Sequence, residues 1–132
     1  MERKTFMRSN TWADRANIAI HNGALTNSKR PACFVNGIYP SHLVKANGCY
    51  VWDYEGNRYI DFICSLGANL LGHQNIKIKQ AIINQLDKGL LYSLGSTAEV
   101  EAAEILRVMF YFMGKVRFLK TGSEASIASL RI

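Results

Sequence analysis

Gly48-Cys49-Tyr50-Val51-Trp52-Asp53-Tyr54-Glu55-Gly56-Asn57-Arg58-Tyr59-Ile60-Asp61-Phe62 is the stretch on which the reading of the fold turns. Apolar and polar residues alternate through it, and a cluster of turn formers interrupts it once. This pattern predicts a hairpin pairing residues 49–53 with 58–62 around Tyr54-Glu55-Gly56-Asn57, where Gly56 can take the positive φ that a tight turn needs. Tyr50, Trp52 and Tyr59 are expected to pack across strands on one sheet face. Asp53, Glu55 and Asp61 are read as turn stabilisers. The period of two extends upstream over 34–62, with Leu43 and Val44 ahead of Asn47-Gly48, so the region is expected to hold short antiparallel strands.

On either side the period changes. Trp12, Arg15, Ala16 and Ala19 fall at helical spacing and predict a helix from Ser9 to about Ile20, capped by Ser9 or Asn10. Residues 21–31 read as an irregular connector. Downstream of the loop Ser65-Leu66-Gly67-Ala68-Asn69-Leu70-Leu71-Gly72-His73, the residues Ile78, Ala81, Ile82 and Leu86 describe a helix with one buried face and Gly89 as its stop. Ser96 and Glu99 form a capping-box pair for a second helix, which runs through Ala102, Ile105, Leu106 and Met109 towards Phe112 and a stop at Gly114. Residues 115–120 read as a strand, and Thr121-Gly122-Ser123-Glu124 turns from it into a helix carrying Ala125, Ala128 and Leu130. A single strand of this parallel type cannot build a sheet, and the last helix carries no stop signal. The chain is therefore expected to be the N-terminal piece of a larger α/β protein, divided into a helix and small antiparallel sheet over 1–72 and the start of a large domain over 73–132. Taken alone it is expected to be marginally stable, to expose the apolar faces of 78–86 and 100–112, and to self-associate.

Composition excludes several classes. With 48% apolar and 20% charged residues in 132, the chain is neither disordered nor of low complexity. Its net charge of +6 is scattered as single residues and pairs, so a nucleic-acid-binding arm is not supported. Cys33, Cys49 and Cys64 are an odd set without CxxC spacing, against a disulfide scaffold and against zinc; His21, His42 and His73 show no HxxxH pairing, so no metal site is indicated. No segment reaches the roughly 18 to 20 apolar residues of a membrane span, and no signal core opens the chain. Arg3, Lys4, Arg8 and Arg15 around Trp12, Ile18 and Ile20 have a presequence character that Glu2 and Asp14 oppose. A cytoplasmic location is expected.

The chemistry concentrates at residues 121–124. Glycine where a strand meets a helix lets backbone N–H groups converge on an anion, the helix N-terminus adds partial positive charge, and the Ser123 hydroxyl adds a donor. The alternative is that Gly122 shapes the turn and Ser123 caps the helix. Neither GxxxxGK[ST] nor GxGxxG is present. His73, just before a helix, is read as a loop histidine bonding local backbone.

Taken together, residues 48–62, Leu66-Gly67, Leu71-Gly72-His73, Glu99, Ala103-Glu104 and the run Val116-Arg117-Phe118-Leu119-Lys120-Thr121-Gly122-Ser123-Glu124-Ala125 resemble the class-III pyridoxal-phosphate aminotransferases, in the branch of the glutamate-1-semialdehyde aminomutases. The likeness covers 31–132 in order. It implies the N-terminal portion of a fold-type-I transferase that binds pyridoxal 5'-phosphate, acts on small amino and keto substrates, and works as a homodimer. It also implies that Gly122 and Ser123, with Thr121 beside them, hold the cofactor phosphate. Ser65-Leu66-Gly67 would face the substrate, and Tyr92-Ser93 would approach the mouth of the site, which makes Ser65, Leu66 and Ser93 the substrate-contact candidates. In that family a lysine amine carries the cofactor as a Schiff base. No lysine here, Lys120 included, matches its motif, so no catalytic residue is assigned and the isolated chain is expected to be inactive. Residues 109–114 depart from the family, whose members commonly carry a proline-containing polar turn there. A non-catalytic phosphate-binding or interaction module is the other function these residues allow.

Overall fold

The structure, a computed structural model, describes residues 5–30, 33, 35 and 38–131. Glu2, Arg3 and Lys4 of the basic N-terminus, Pro31 and Phe34 at predicted element edges, and Ile132 lie outside the described residues. The chain divides into two compact units, Met1–Asn84 and Gln85–Ile132.

In the first unit, α1 (Met7–Ala19) is followed by two 3-10 turns, His21–Gly23 and Asn27–Lys29, and by strands β1 (Leu43–Asn47), β2 (Tyr50–Asp53) and β3 (Arg58–Ile60). The strands form one antiparallel sheet in the order β1-β2-β3. The predicted hairpin is β2–β3, with Gly56 at φ +86°, and Asp61 N–H donates to Cys49 C=O at 2.9 Å to extend the ladder. Gly48, at φ +55°, opens the two-residue loop between β1 and β2, the position at which such hairpins favour glycine. Val51 pairs with Tyr59, Trp52 with Arg58 and Tyr50 with Ile60. Tyr59 therefore shares a face with Val51, not with Tyr50 and Trp52 as expected, because directly opposed residues point the same way. The Tyr50 and Trp52 rings lie 6.3 Å apart on their own face, with the Arg58 guanidinium 4.5 Å from Tyr50 and Lys45 Nζ 5.1 Å from Trp52.

Asp53 ends β2 at 1% exposure and organises the hairpin. Its carboxylate accepts from Asn57 N–H at 2.8 Å, Asn57 Nδ2 at 2.9 Å and Tyr59 Oη at 2.8 Å. Burial works against its charge, but these donors outweigh it and hold the carboxyl below the usual range. Burial first, and then Asp53 itself, raises the Tyr59 phenol.

The start of α1 corrects the sequence reading. The helix begins at Met7 after Phe6 with no local side-chain cap. Ser9 lies inside the first turn, fully buried. The cap is Glu55, brought from the hairpin turn: its Oε1 accepts from Arg8 N–H at 2.6 Å and Ser9 N–H at 3.0 Å, and its Oε2 from Ser9 Oγ at 3.2 Å. A carboxylate suits these donors because the first-turn N–H groups have no partners in the helix and carry its positive end. Ser41 Oγ donates to Ser9 C=O at 2.5 Å, and Trp12 lies 5.3 Å from Tyr54, so the helix is tied to the turn by polar and aromatic contacts.

Helix α2 (Ile76–Leu86) starts behind Asn75, whose Oδ1 accepts from Lys77 and Ile78 N–H, and Gly89 at φ +100° follows its end. None of its residues is buried, as expected of the 78–86 face in this chain taken alone; Ile82 is 54% exposed. In the second unit, α3 (Thr97–Met109) has the predicted capping box, with Ser96 Oγ accepting from Ala98 N–H and Glu99 Oε1 from Ser96 N–H. It ends with Phe110 as C-cap rather than at Gly114. Residues 115–120 are not a strand in this structure: among the described residues no neighbouring segment supplies the ladder that would make them one. Helix α4 (Gly122–Ser129) follows. No described residue of this unit is buried, and the α3 side chains Ile105 and Val108 are exposed, as expected of the 100–112 face.

Candidate functional site

The turn into α4 sorts the candidates at 121–123 into two roles. Thr121, not Ser123, is the N-cap: its Oγ1 accepts from Glu124 N–H at 3.2 Å. Glu124 Oε2 returns to accept from Thr121 N–H and Lys120 N–H, each at 3.0 Å. The sequence signal for this was present, since threonine followed three residues later by glutamate is a capping box. The box occupies the N–H groups of residues 120, 121 and 124. The N–H groups of Gly122 and Ser123, and the Ser123 hydroxyl, have no hydrogen-bond partner among the described residues. A Cβ built on Gly122 would meet nothing within 4 Å. Three donors thus stand uncommitted at the positive end of an eight-residue helix, an arrangement suited to the oxygens of a phosphate.

Ser65 and Leu66 lie in the first unit, on the loop between β3 and α2. Cys64, Ser65 and Leu66 take φ of 47°, 52° and 58°, followed by Gly67 at 90°. Three successive left-handed residues with side chains are unusual, at about 1 to 2 kcal/mol each, and need support from their surroundings. Asp61 supplies part of it: Oδ1 accepts from Ile63 N–H at 3.1 Å and Cys64 N–H at 3.0 Å, while Oδ2 meets His73 Nε2 at 2.8 Å. The His73 hydrogen bond and these amides hold the Asp61 carboxyl below its usual range. His73 is also paired through its backbone with Gly48, N–H to C=O in both directions at 2.9 and 2.8 Å. Its partners are therefore distant in sequence rather than local. Gly72, at φ +80°, lies where a Cβ would come within 3.1 Å of Gly48 C=O.

Ser93 is exposed in the second unit, after α2. Its neighbour Tyr92 turns its hydroxyl back to donate to Lys88 C=O at 2.8 Å. Among the described residues no group of three His, Cys, Asp or Glu side chains could hold a metal, and no helix is long and apolar enough to cross a membrane.

Comparison with known proteins identifies what these features belong to. The family model "Aminotransferase class-III" matches residues 35–132. Over 93 residues the chain is 45% identical to the glutamate-1-semialdehyde 2,1-aminomutase of Methanococcoides burtonii, a match that takes in 70% of this chain and 22% of that protein. The enzyme of the same name from Aquifex aeolicus is 42% identical over 93 residues, again 70% of this chain and 22% of the relative. The chain thus spans about a fifth of the length of these curated relatives. Among solved structures, the FumI protein of Sphingopyxis sp. MTA144 superposes with a TM-score of 0.85 at 27% identity, over 92% of this chain and 29% of that one. An omega-transaminase from Sphaerobacter thermophilus gives 0.83 at 24% identity, over 93% and 27%, a likeness of fold.

Proposed function

This chain belongs to the class-III aminotransferase family, and from that premise we propose that it is the N-terminal portion of a pyridoxal-phosphate-dependent aminotransferase or aminomutase. The observation that carries the reading is the turn at 121–124, where the capping box leaves Gly122 N–H, Ser123 N–H and Ser123 Oγ uncommitted. Pyridoxal phosphate, when bound, supplies the electron-accepting ring that amino-group transfer requires. The residues here bind and orient. Gly122 and Ser123 donate to the phosphate, helped by the helix dipole, and Thr121 acts by fixing the turn. Ser65, Leu66 and Ser93 are the proposed contacts to a small amino or keto substrate. The lysine that moves the proton lies in the part of the enzyme that this chain does not contain, so the chain alone binds without turnover. The whole enzyme is read as a cytoplasmic homodimer, by the family resemblance. The shared name of the relatives favours the aminomutase branch.

The test is a titration of the chain with pyridoxine 5'-phosphate, which has no aldehyde to attach to surface lysines, followed by the amide resonances of Gly122 and Ser123. Saturable shifts that inorganic phosphate competes for and pyridoxine does not are expected, and Ser123→Ala weakens them. Unmoved amides at these two positions would sink the reading. The second reading, a phosphate-binding module without catalysis, is favoured by the fact that every group of the turn comes from residues 120–124. Sequencing the reading frame past the Ile132 codon separates the two: a continuation carrying a strand-borne lysine supports the enzyme, and a stop supports the module.

A further inference from the structure

We infer that Asp61 and His73 are positioning residues, a clamp across the base of the 62–72 loop that holds Ser65 and Leu66 in their left-handed conformation. That the loop faces a substrate rests on the reading above; the clamp does not.

The argument begins with how one carboxylate is shared. Asp61 Oδ1 gathers the N–H groups of Ile63 and Cys64, where the loop leaves the sheet. Asp61 Oδ2 takes His73 Nε2 at 2.8 Å, where the loop returns. An ionised carboxylate only accepts, so Nε2 carries the proton and the imidazole is the donor. The backbone pairing of His73 with Gly48 fixes the returning chain to the turn between β1 and β2, and so fixes where the ring can reach. Cys64 Sγ also donates to Asp61 C=O at 3.1 Å, which adds a third tie at the entrance. Between these anchors the bonds internal to the loop are turn bonds: Leu66 N–H to Ile63 C=O, both Gly67 and Asn69 N–H to Cys64 C=O, Ala68 N–H to Ser65 C=O and Gly72 N–H to Asn69 C=O. A left-handed run of residues with side chains persists only where the structure around it holds it in place. Ser65 is exposed, and its N–H and Oγ have no hydrogen-bond partner among the described residues.

The experiment uses the isotopically labelled chain and reads the strong intraresidue HN–Hα Overhauser signal that positive φ produces at Cys64, Ser65 and Leu66. His73→Leu, which cannot donate, is expected to lose the signal at Ser65 and Leu66 while the Val51–Tyr59 cross-strand contact persists. His73→Gln, whose amide can stand where Nε2 stood, is expected to restore it. If His73→Leu keeps the signal, the loop holds itself and the inference fails. Loss of the signal in His73→Gln with the cross-strand contact intact overturns it as well, because the ring would then matter by its bulk. Should His73→Leu unfold the sheet, His73→Gln decides alone. A failure here leaves the phosphate titration at Gly122 and Ser123 untouched, and a failure there leaves the clamp untouched.

Discussion

The two units hold themselves together over different distances along the chain. In the first, Glu55 caps a helix 46 and 47 residues away, Gln74 Nε2 reaches Ala46 C=O, and Phe6, Ser9, Ala16, Val51 and Asp53 are buried. In the second, among the described residues no side-chain hydrogen bond spans more than 7 residues and no residue is buried. The difference separates two things that a sequence can encode. Caps define where helices begin using neighbours alone, whereas a core needs segments brought from afar. Helices of 13 and 8 residues with exposed apolar faces are marginal in water by themselves, so the unit that carries the turn at 121–124 depends on contacts it does not supply.

The sharpest way to break this contrast is Asp53→Ala, which removes the buried acceptor of three part-buried donors. It is expected to cost roughly 3 kcal/mol or more and to abolish amide protection at Val51 and Tyr59 without altering α3. Loss of α3 in step with the sheet would show that the two units are not independent. Acid makes the same demand by another route. Asp53 and Asp61 are both held below the ordinary value of 3.8, so their contribution is complete above it and is lost as the pH falls through the lower native values. The Val51 and Cys64 amides, followed from pH 6 downward, should stay protected through the normal carboxylate range and lose protection below it.

Glu55→Ala, next in size, removes a long-range cap and is expected to cost about 1 to 2 kcal/mol, read as faster hydrogen exchange across the first turn of α1 with β2–β3 retained. Ser96→Ala removes a local one, at about 1 kcal/mol, and should fray α3 alone. The smallest effect belongs to Val108→Lys, on a residue 84% exposed, which is expected to change the stability of this chain by less than about 0.5 kcal/mol. A large loss would mean that self-association covers that face.

How legible each feature was in the sequence follows the same division. The β2–β3 hairpin was readable because alternation and Gly56 act within a dozen residues, and so was the Ser96–Glu99 box. The box at Thr121 carried an equally local signal, but the only cap weighed there was Ser123, as the alternative to anion binding. The start of α1 was not readable, since its cap arrives from Glu55 in the hairpin turn. The face on which Tyr59 lies was missed because it depends on register, and one step of register moves every side chain across the sheet. The expected strand at 115–120 shows the same limit from the other side: extended propensity makes a segment available for pairing, but a strand exists only where a neighbour completes its ladder.

The residues by themselves determined the hairpin, the helical segments, the turn at 121–124 and, through their order, the likeness to class-III aminotransferases. These depend on φ preferences, caps and periodicity, whose range is a few residues. Only the tertiary structure decided that Glu55 caps α1, that Tyr59 turns to Asp53, and that Asp61 and His73 close the loop bearing Ser65 and Leu66. Glu55 with α1 and Asp61 with His73 join groups well apart in sequence, and Tyr59 with Asp53 depends on strand register; in each case a hydrogen bond's geometry is set by where folding places its two ends.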